Sequence, residues 1–234
     1  MKALRKWIRI HVPIVPSFCR NFIFSLKKDP SQCGEQNYLL NYFSSIENGL
    51  YIELGAFHPI YYSNSIGFKR KGWKGISYEA NSDFKILWRI FRNSDRLVNK
   101  AVLPNRAVGD MTKFYFMERG VDGTSSALKE HATTHALRYG ITTREAIIPS
   151  ISIEEVLDNF LVKYSQPPDL MLVDIEGLDI SILEVLCSHI SISKLPKWLF
   201  MEVLNYDISP KVYSETYEIV GSVGPNVLFA LKDK

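Results

Sequence analysis

Residues 51–81 read YIELGAFHPIYYSNSIGFKRKGWKGISYEAN, and this stretch decides the fold of the chain. It begins with a short apolar run over residues 51–54, which stops at Gly55. Ser63 and Asn64 then follow as candidate N-caps of a helix. The pattern predicts a strand, a glycine turn and the start of a helix.

The second half of the stretch predicts the next strand of the same sheet. The helix ends near Gly72, and residues 75–78 form a second short strand that leads into Glu79. A strand, a glycine turn, a helix and a second strand with an acid at its tip are typical of a βαβ unit. Such a unit binds ligands at the carboxyl ends of its strands.

Gly55 and Glu79 indicate what kind of ligand to expect. Gly55 has no Cβ, so the backbone can turn sharply and approach a ligand, and the following helix points free N–H groups toward the same place. Glu79 can accept hydrogen bonds from a sugar diol there. We therefore expect a nucleoside-type cofactor. A dinucleotide is disfavoured, because the next glycine is Gly67 and the G-x-G-x-x-G fingerprint is missing.

A third apolar run, over residues 170–173, predicts a central buried strand. It delivers Asp174 to the carboxyl end of the sheet, and Glu176 follows two residues later. Gly177 then permits a tight turn into a helix over residues 179–186. Two ionisable side chains directly after an apolar run favour a functional role over packing. The alternative is that these carboxylates cap the following helix.

Several segments share a pattern with one known family. Residues 31–35 read SQCGE, 53–59 ELGAFHP, 63–65 SNS, 71–79 KGWKGISYE and 169–179 DLMLVDIEGLD. In this order they resemble the FkbM family of S-adenosylmethionine-dependent methyltransferases, and the last segment is similar to the D-x-E-G signature of that family. The resemblance covers the chain from about residue 31 to its C-terminus.

The resemblance implies an α/β fold of the Rossmann-like methyltransferase type. This fold is a three-layer sandwich whose mostly parallel central sheet ends in an antiparallel hairpin. The end of the sequence agrees with it, because residues 217–223 and 227–232 read as two strands around a Gly-Pro-Asn turn. The implied cofactor is S-adenosyl-L-methionine.

The resemblance also implies residue roles. It assigns the methionine end of the cofactor to Glu53 and the glycine turn, the ribose to Glu79, and the neighbourhood of the sulfonium to Asp174. Asp110 is expected at the adenine amino group, or else is an ordinary turn residue before a strand. The full cofactor-binding set comprises Glu53, Gly55, Ala56, Phe57, His58, Asn64, Glu79, Ala80, Asp110 and Asp174. The candidates for the catalytic base are Asp174, Glu176 and His58.

Composition narrows the class of protein. The chain has 234 residues, which suits one sizeable domain, and 46% of them are hydrophobic. A net charge of +3 with scattered basic residues does not indicate nucleic-acid binding. The three cysteines, Cys19, Cys33 and Cys187, lie far apart, which predicts free thiols in a reducing compartment, and hence a cytoplasmic protein.

The chain divides into an N-terminal extension over residues 1–46 and a methyltransferase-like domain over residues 47–234. Residues 1–28 are basic and aromatic, and no apolar run in them is long enough to span a membrane; charges and prolines interrupt the apolar segment, so we do not expect a signal peptide. They are expected either to lie on the inner membrane surface or to pack as a helix on the domain. Residues 31–46 predict a helix, where Gln32 and Glu35 either cover the cofactor pocket, by resemblance, or cap the helix.

Apolar periodicity and capping signals predict the remaining elements. They are a helix over residues 81–91, a third strand over 97–102, an extra strand at 114–116, a helix over 152–160 that opens with a capping box, a strand over 198–203, and a short helix over 210–215.

Residues 118–145 lack clear periodicity and are rich in Gly, Ser, Thr and His. We expect residues 123–126 to belong to a substrate lid. His131 and His135 lie four residues apart and could bind metal from one helix, but no acidic or cysteine ligand is nearby in the sequence. Surface histidines are therefore favoured, and no metal site is expected.

The leading hypothesis is an O-methyltransferase that acts on a hydroxyl of a sugar, a glycan precursor or a secondary metabolite. The alternative is a non-catalytic module that binds a nucleotide or a partner. Gly55, Glu79 and Asp174 are all present, which favours the enzyme. A nicotinamide-dependent oxidoreductase is disfavoured by the missing glycine fingerprint and by the absence of a Tyr-x-x-x-Lys pair.

Overall fold

The computed structural model describes residues 29–93, 95–117, 122–203 and 208–233. The helices of this part are α1 Glu35–Tyr42, α2 Ile66–Arg70, α3 Lys85–Phe91, α4 Lys129–Tyr139, α5 Ile153–Tyr164, α6 Asp179–His189 and α7 Pro210–Tyr213. The strands are β1 Leu50–Leu54, β2 Lys74–Tyr78, β3 Arg96–Val98, β4 Ala101–Leu103, β5 Met111–Met117, β6 Thr143–Ser152, β7 Leu170–Val173, β8 Trp198–Glu202, β9 Tyr217–Val223 and β10 Asn226–Leu231.

Seven of these strands form the main sheet, in the order β3-β2-β1-β7-β8-β10-β9. The five strands from β3 to β8 pair in parallel, whereas β10 runs antiparallel to both β8 and β9. The predicted fold class is confirmed: a mostly parallel α/β sheet ends in an antiparallel hairpin. The carboxyl ends of the parallel strands meet at one edge, where open sheets of this kind bind ligands.

The three layers follow from the alternation of side chains along β1. Ile52 points into a core shared with α5 and α6, whereas Tyr51 points into a second core shared with α1 and α2. All five residues of β1 and all four of β7 are buried, because helices cover both faces of the sheet. A continuous apolar run is what such a doubly covered strand requires.

The third predicted strand is wrong as a single element. Residues 97–102 divide into β3, which belongs to the main sheet, and β4, which joins β5 and β6 in a separate three-stranded sheet. Asn99 lies between them, and its Nδ2 donates hydrogen bonds to the carbonyl oxygens of Glu79 and Ala80, at 2.7 and 3.1 Å. These bonds tie Asn99 to the end of β2, and the chain leaves the main sheet there.

The segment expected to be irregular is more ordered than its sequence indicates. It contains α4 and the start of β6, which pairs antiparallel with β5. The buried residues of α4 are Ala132 and Ala136. Their small side chains give little apolar periodicity, which explains why the helix was missed.

Capping was predicted well at α5 and less well at α2. Ser152 and Glu155 form the expected capping box at the start of α5. The α2 helix is shorter than predicted and begins after Ser65. Ser63 accepts a hydrogen bond from the N–H of Ile66 at 3.2 Å, whereas Asn64 faces the cavity described below.

The expected N-terminal extension falls largely on residues 1–28, which lie outside the described residues. Membrane contact through that segment therefore stays a prediction. Within the part of the chain that the structure describes, every helix is too short or too polar to cross a bilayer.

Candidate active site

A cavity of about 700 Å³ opens at the carboxyl edge of the main sheet. The last residues of four neighbouring parallel strands line it: Leu54 of β1, Tyr78 of β2, Val173 of β7 and Glu202 of β8. The opposite side is lined by residues of β5, of α4 and of the segment 123–127. The cavity thus lies between the sheet edge and the segment that contains the predicted lid.

Gly55 forms the expected turn at the end of β1. Its φ angle is +75°, and the N–H groups of Gly55 and Ala56 both donate to the carbonyl oxygen of Tyr78 at 3.0 Å. A Cβ at Gly55 would overlap the carbonyl oxygen of Asp174. The absent side chain therefore makes room for the end of β7, which sequence reasoning did not anticipate.

Glu79 holds two backbone segments with its carboxylate. One oxygen accepts from the N–H of Phe57 at 2.7 Å, and the other accepts from the N–H of Asn81 at 2.6 Å. A carboxylate has about four acceptor positions, so Glu79 can accept further hydrogen bonds from a ligand. Both Glu79 and Ala80 line the cavity, as expected for residues at the tip of β2.

Glu53 lines the cavity wall and is held by a buried polar network. Its Oε2 accepts from the hydroxyls of Ser65 and Ser77, at 2.7 and 2.9 Å, and lies 3.8 Å from a guanidinium nitrogen of Arg92. Burial raises the pKa of Glu53, while Arg92 and the two serine hydroxyls act in the opposite direction. Glu53 is thereby fixed in one position beside the glycine turn.

Arg92 is a residue of this network that sequence reasoning missed. Its side chain is fully buried and pairs with Asp95 at 2.5 Å, while another nitrogen donates to the hydroxyl of Tyr51 at 2.7 Å. An arginine just after α3 reads in the sequence as an ordinary charged residue at a helix end. Asp95 is close in the sequence, but only the tertiary structure brings Tyr51, Glu53 and Ser65 to the guanidinium.

Asn64 offers the cavity an unused acceptor. Its Oδ1 is buried and has no hydrogen-bond partner within the described ranges. Buried polar atoms are rarely left unsatisfied in native proteins. A ligand with an N–H or O–H donor would satisfy this oxygen.

His58 and Asp110 are not brought to the cavity. His58 is buried in the turn after β1, where its Nδ1 accepts from the N–H groups of Ile60 and Tyr61, at 3.1 and 3.3 Å. Asp110 is exposed and pairs with Arg106 at 2.9 Å. It stands at the turn before β5, which fits the alternative interpretation of Asp110 as a turn residue.

Asp174 projects into the acidic end of the cavity. Its side chain is exposed to the cavity, yet desolvation by the surrounding protein raises its pKa well above the ordinary range, and the nearby carboxylates of Glu176, Asp179 and Glu202 raise it further. Burial likewise raises the pKa of Glu202 to about 7, again with help from Glu176 and Asp179. The carboxylates of Glu35, Asp174, Glu176 and Glu202 line the cavity and together favour a cationic ligand, which would lower the raised pKa values again.

Asp179 performs the capping that was the alternative for Asp174 and Glu176. Its two carboxylate oxygens accept from the N–H groups of Ile175 and Gly177, at 3.1 and 3.2 Å. Asp179 is the first residue of α6, so it fixes the loop between β7 and this helix. The side chains of Asp174 and Glu176 stay available for the cavity.

His131 and His135 also line the cavity, which corrects their interpretation as surface histidines. The Nε2 of His131 lies 3.0 Å from Oε2 of Glu176, and this hydrogen bond raises the pKa of His131. The two histidine rings stack with their centroids 4.5 Å apart. Glu176 itself has a left-handed backbone, with φ of 52°, and its carbonyl oxygen accepts from the hydroxyl of Ser126.

Glu35 lines the cavity and stabilises the turn before α1, but it does not cap the helix. Its Oε2 accepts from the N–H of Cys33 at 2.6 Å, so it stabilises the turn before α1. Its Oε1 accepts from Nδ2 of Asn226 at 3.3 Å, and the residue lines the cavity. Gln32 lines the cavity as well.

Comparison with known proteins gives one family. The profile of the methyltransferase FkbM domain matches residues 53–208, which is more than half of the chain. A search of curated proteins finds no match.

Several solved structures are similar at low identity. A methyltransferase from Escherichia coli, YhhF, is 11% identical, with a TM-score of 0.44 over 89% of this chain and 92% of that one. A TehB-like SAM-dependent methyltransferase from Corynebacterium glutamicum is 9% identical, with a TM-score of 0.45 over 95% and 99%. An O-methyltransferase from Bacillus cereus, in complex with SAH, is 11% identical, with a TM-score of 0.46 over 99% and 97%.

Proposed function

We propose that this chain, which belongs to the family of methyltransferases with an FkbM domain, transfers a methyl group to a hydroxyl of a sugar, a glycan precursor or a secondary metabolite. Family membership makes it an S-adenosylmethionine-dependent methyltransferase, with S-adenosylmethionine as its cofactor. The observation that supports the hydroxyl acceptor is Asp174, a carboxylate that follows β7 and faces the same cavity as Glu79, which follows β2 on the other side of β1.

The residues present fit this cofactor. The cavity of about 700 Å³ lies within the range of about 300–1,000 Å³ that is typical of ligand sites. Glu79 lines the cavity at the tip of β2, and its carboxylate oxygens are acceptors that suit the two ribose hydroxyls. The unpartnered Oδ1 of Asn64 is available to an ammonium or amino group. The acidic end of the cavity suits a positively charged sulfonium.

S-adenosylmethionine supplies an activated methyl group: as the acceptor oxygen bonds to the methyl carbon, the carbon–sulfur bond breaks and its electron pair stays on sulfur in S-adenosylhomocysteine. The chain must hold the acceptor in line, exclude water and take the hydroxyl proton. The last of these tasks falls to a base in the cavity.

Asp174 is the proposed base among the three candidates. His58 is buried outside the cavity, where its Nδ1 accepts from the N–H of Ile60, and Glu176 is hydrogen-bonded to His131. Desolvation and the surrounding carboxylates raise the pKa of Asp174 in the protein alone. A cation bound beside it lowers that pKa and so favours the ionised form, which can accept a proton.

Calorimetric titration and product analysis of matched variants test this proposal. Asp174→Asn removes the charge and the base but keeps the shape, whereas Asp110→Asn removes an exposed carboxylate outside the cavity. We expect Asp174→Asn to weaken S-adenosylmethionine binding by about 10-fold, and to weaken S-adenosylhomocysteine binding less, because the product has no sulfonium charge.

Transfer to hydroxyl acceptors should fall by about 100-fold or more in Asp174→Asn and remain unchanged in Asp110→Asn. Full transfer by Asp174→Asn would exclude Asp174 as the base. Methylation of nitrogen or carbon, with no oxygen methylated in a panel of sugars and polyols, would contradict the hydroxyl acceptor.

A further inference from the structure

Three potential metal ligands meet at the side of the cavity that α4 lines. His131 and His135 lie four residues apart on one face of α4, and Glu176 approaches them from the loop after β7. One ligand atom from each of the three residues lies within 4.8 Å of the others. The sequence separates the histidines from Glu176 by more than 40 positions, which hid this arrangement.

The chemistry of the three groups points to a particular class of ion. Two imidazole nitrogens and one carboxylate oxygen suit divalent ions of the first transition row, such as Zn²⁺, Co²⁺ or Mn²⁺. With metal–ligand bonds of about 2.0–2.2 Å, neighbouring ligand atoms lie about 3.3–3.6 Å apart in a tetrahedral site and about 2.8–3.1 Å apart in an octahedral one. His131 and Glu176 lie 3.0 Å apart, close to these spacings. The ligand atom of His135 lies within 4.8 Å of the other two, so the His135 ring must move toward them to close the site.

A hydrogen-bonded His131–Glu176 pair does not by itself account for His135. The His135 ring stacks against His131, and its Nδ1 is buried without a hydrogen-bond partner among the residues that the structure describes. A cation bound between the two rings would give His135 the partner that it lacks among these residues.

The surrounding residues hold the ligands in place. The hydroxyl of Ser126 donates to the carbonyl oxygen of Glu176 at 2.7 Å, and Asp179 fixes the N–H of Gly177. Gly177 is needed for space as well, because a Cβ there would come within 2.8 Å of Nδ1 of His131. Metal sites depend on such supporting contacts for the orientation of their ligands.

We propose that His131, His135 and Glu176 bind one divalent ion of the first transition row, and that its open coordination positions hold the acceptor oxygen. Three protein ligands with remaining open positions are typical of catalytic rather than structural metal sites. The part of this inference that concerns the acceptor rests on the proposed function. As a Lewis acid, the ion makes the bound hydroxyl more acidic; its proton passes to Asp174 and the resulting alkoxide receives the methyl group.

Titration of the metal-depleted protein with Co²⁺, followed by visible absorption, tests the site without cofactor or acceptor. Zn²⁺ in calorimetry gives the stoichiometry, and Mg²⁺ serves as the control ion. We expect one ion per chain, and a loss of affinity of at least about 100-fold in His135→Gln and Glu176→Gln. His189→Ala, which changes an exposed histidine at the end of α6, should bind as tightly as the parent.

Circular dichroism of each variant separates loss of the site from loss of the fold. A folded His135→Gln that binds Co²⁺ with the parent affinity would overturn the site. So would a parent protein that shows no Co²⁺ spectrum and no Zn²⁺ heat. Weak binding of Mg²⁺ beside tight binding of Zn²⁺ supports the assigned class of ion.

The proposed role of the ion in methyl transfer is tested separately from its binding. We expect chelation to abolish methyl transfer, and Zn²⁺, Co²⁺ or Mn²⁺ to restore it, while S-adenosylhomocysteine binding is unchanged. Transfer that persists at the full rate after chelation, and in His135→Gln, would overturn the role of the ion but leave the methyltransferase proposal intact. Tight binding of one ion without transfer to any hydroxyl would uphold the site and contradict the acceptor class.

Discussion

The carbonyl oxygen of Asp174 occupies the space that a Cβ atom of Gly55 would need. In the same contact, the N–H of Asp174 donates to the carbonyl oxygen of Leu54 at 3.0 Å. The ends of β1 and β7 therefore fit against each other through backbone atoms. The turn on the cofactor side and the proposed base are positioned by one shared contact.

Gly55→Ala should be strongly destabilising. The new Cβ would overlap backbone that cannot move without displacing β7, so we expect a loss of at least about 3 kcal/mol in the free energy of unfolding. Gly109→Ala is the matched control, because Gly109 also has positive φ but nothing within 4 Å of the added atom. Its loss should stay near 1 kcal/mol. Urea unfolding measures both, and equal losses would refute the contact.

Arg92→Met should cost about 3–5 kcal/mol, because it leaves Glu53 and Asp95 without their buried cationic partner. Arg89→Met changes an exposed arginine on the same helix and should cost less than about 0.5 kcal/mol. Adding Glu53→Gln to Arg92→Met should cost less than the sum of the two single changes. Strict additivity in urea unfolding would show that the two residues do not interact.

Glu79→Gln should weaken cofactor binding. The amide has one oxygen, so it can accept from the N–H of Phe57 or of Asn81 but not from both, and its NH₂ group would face the other N–H. We expect S-adenosylhomocysteine to bind at least about 10-fold more weakly, as measured by calorimetry. Glu47→Gln, on the surface, should leave the affinity unchanged. Parent affinity in folded Glu79→Gln would contradict the ribose assignment.

Glu202 should make stability depend on pH near neutrality. Its pKa in the folded protein is raised to about 7 from 4.5, so its contribution to stability is complete below about pH 4.5 and is lost as pH rises through 7. Glu202→Gln removes this loss. Because Glu202 is partly exposed, solvent screening reduces the expected change in the free energy of unfolding to about 1 kcal/mol, or roughly 2–4 °C in Tm.

The measurement is the Tm difference between Glu202→Gln and the parent at pH 5 and at pH 8. Subtracting the two proteins removes the contribution of all other titrating groups. We expect the Tm of Glu202→Gln minus the Tm of the parent to be larger at pH 8 than at pH 5. A difference that is the same at both pH values would show that Glu202 titrates in its ordinary range.

The central part of the fold could be predicted because its signals are local. The strands that end at Gly55, Glu79 and Asp174 are short apolar runs, each followed at once by its turn or its acid. Parallel pairing then brings these ends to one edge without any further information. The capping box at Ser152 is local in the same sense.

The parts that were missed depend on contacts between distant segments. The division of the third strand follows from the bonds of Asn99 to the end of β2. The role of Arg92 follows from its contacts with Tyr51, Glu53 and Ser65 on distant segments, and the position of His131 follows from Glu176. No pattern within a short window of sequence contains these relationships.

The separate sheet of β4, β5 and β6 has one more consequence. Together with α4 it forms a continuous piece of chain, residues 101–152, which is inserted between the main-sheet strands β3 and β7. The residues proposed to bind the methyl donor lie at the edge of the main sheet, whereas both histidines belong to the inserted piece. Exchange of this piece between homologues would therefore be a route to new acceptor specificity, with the donor pocket inherited unchanged from the recipient.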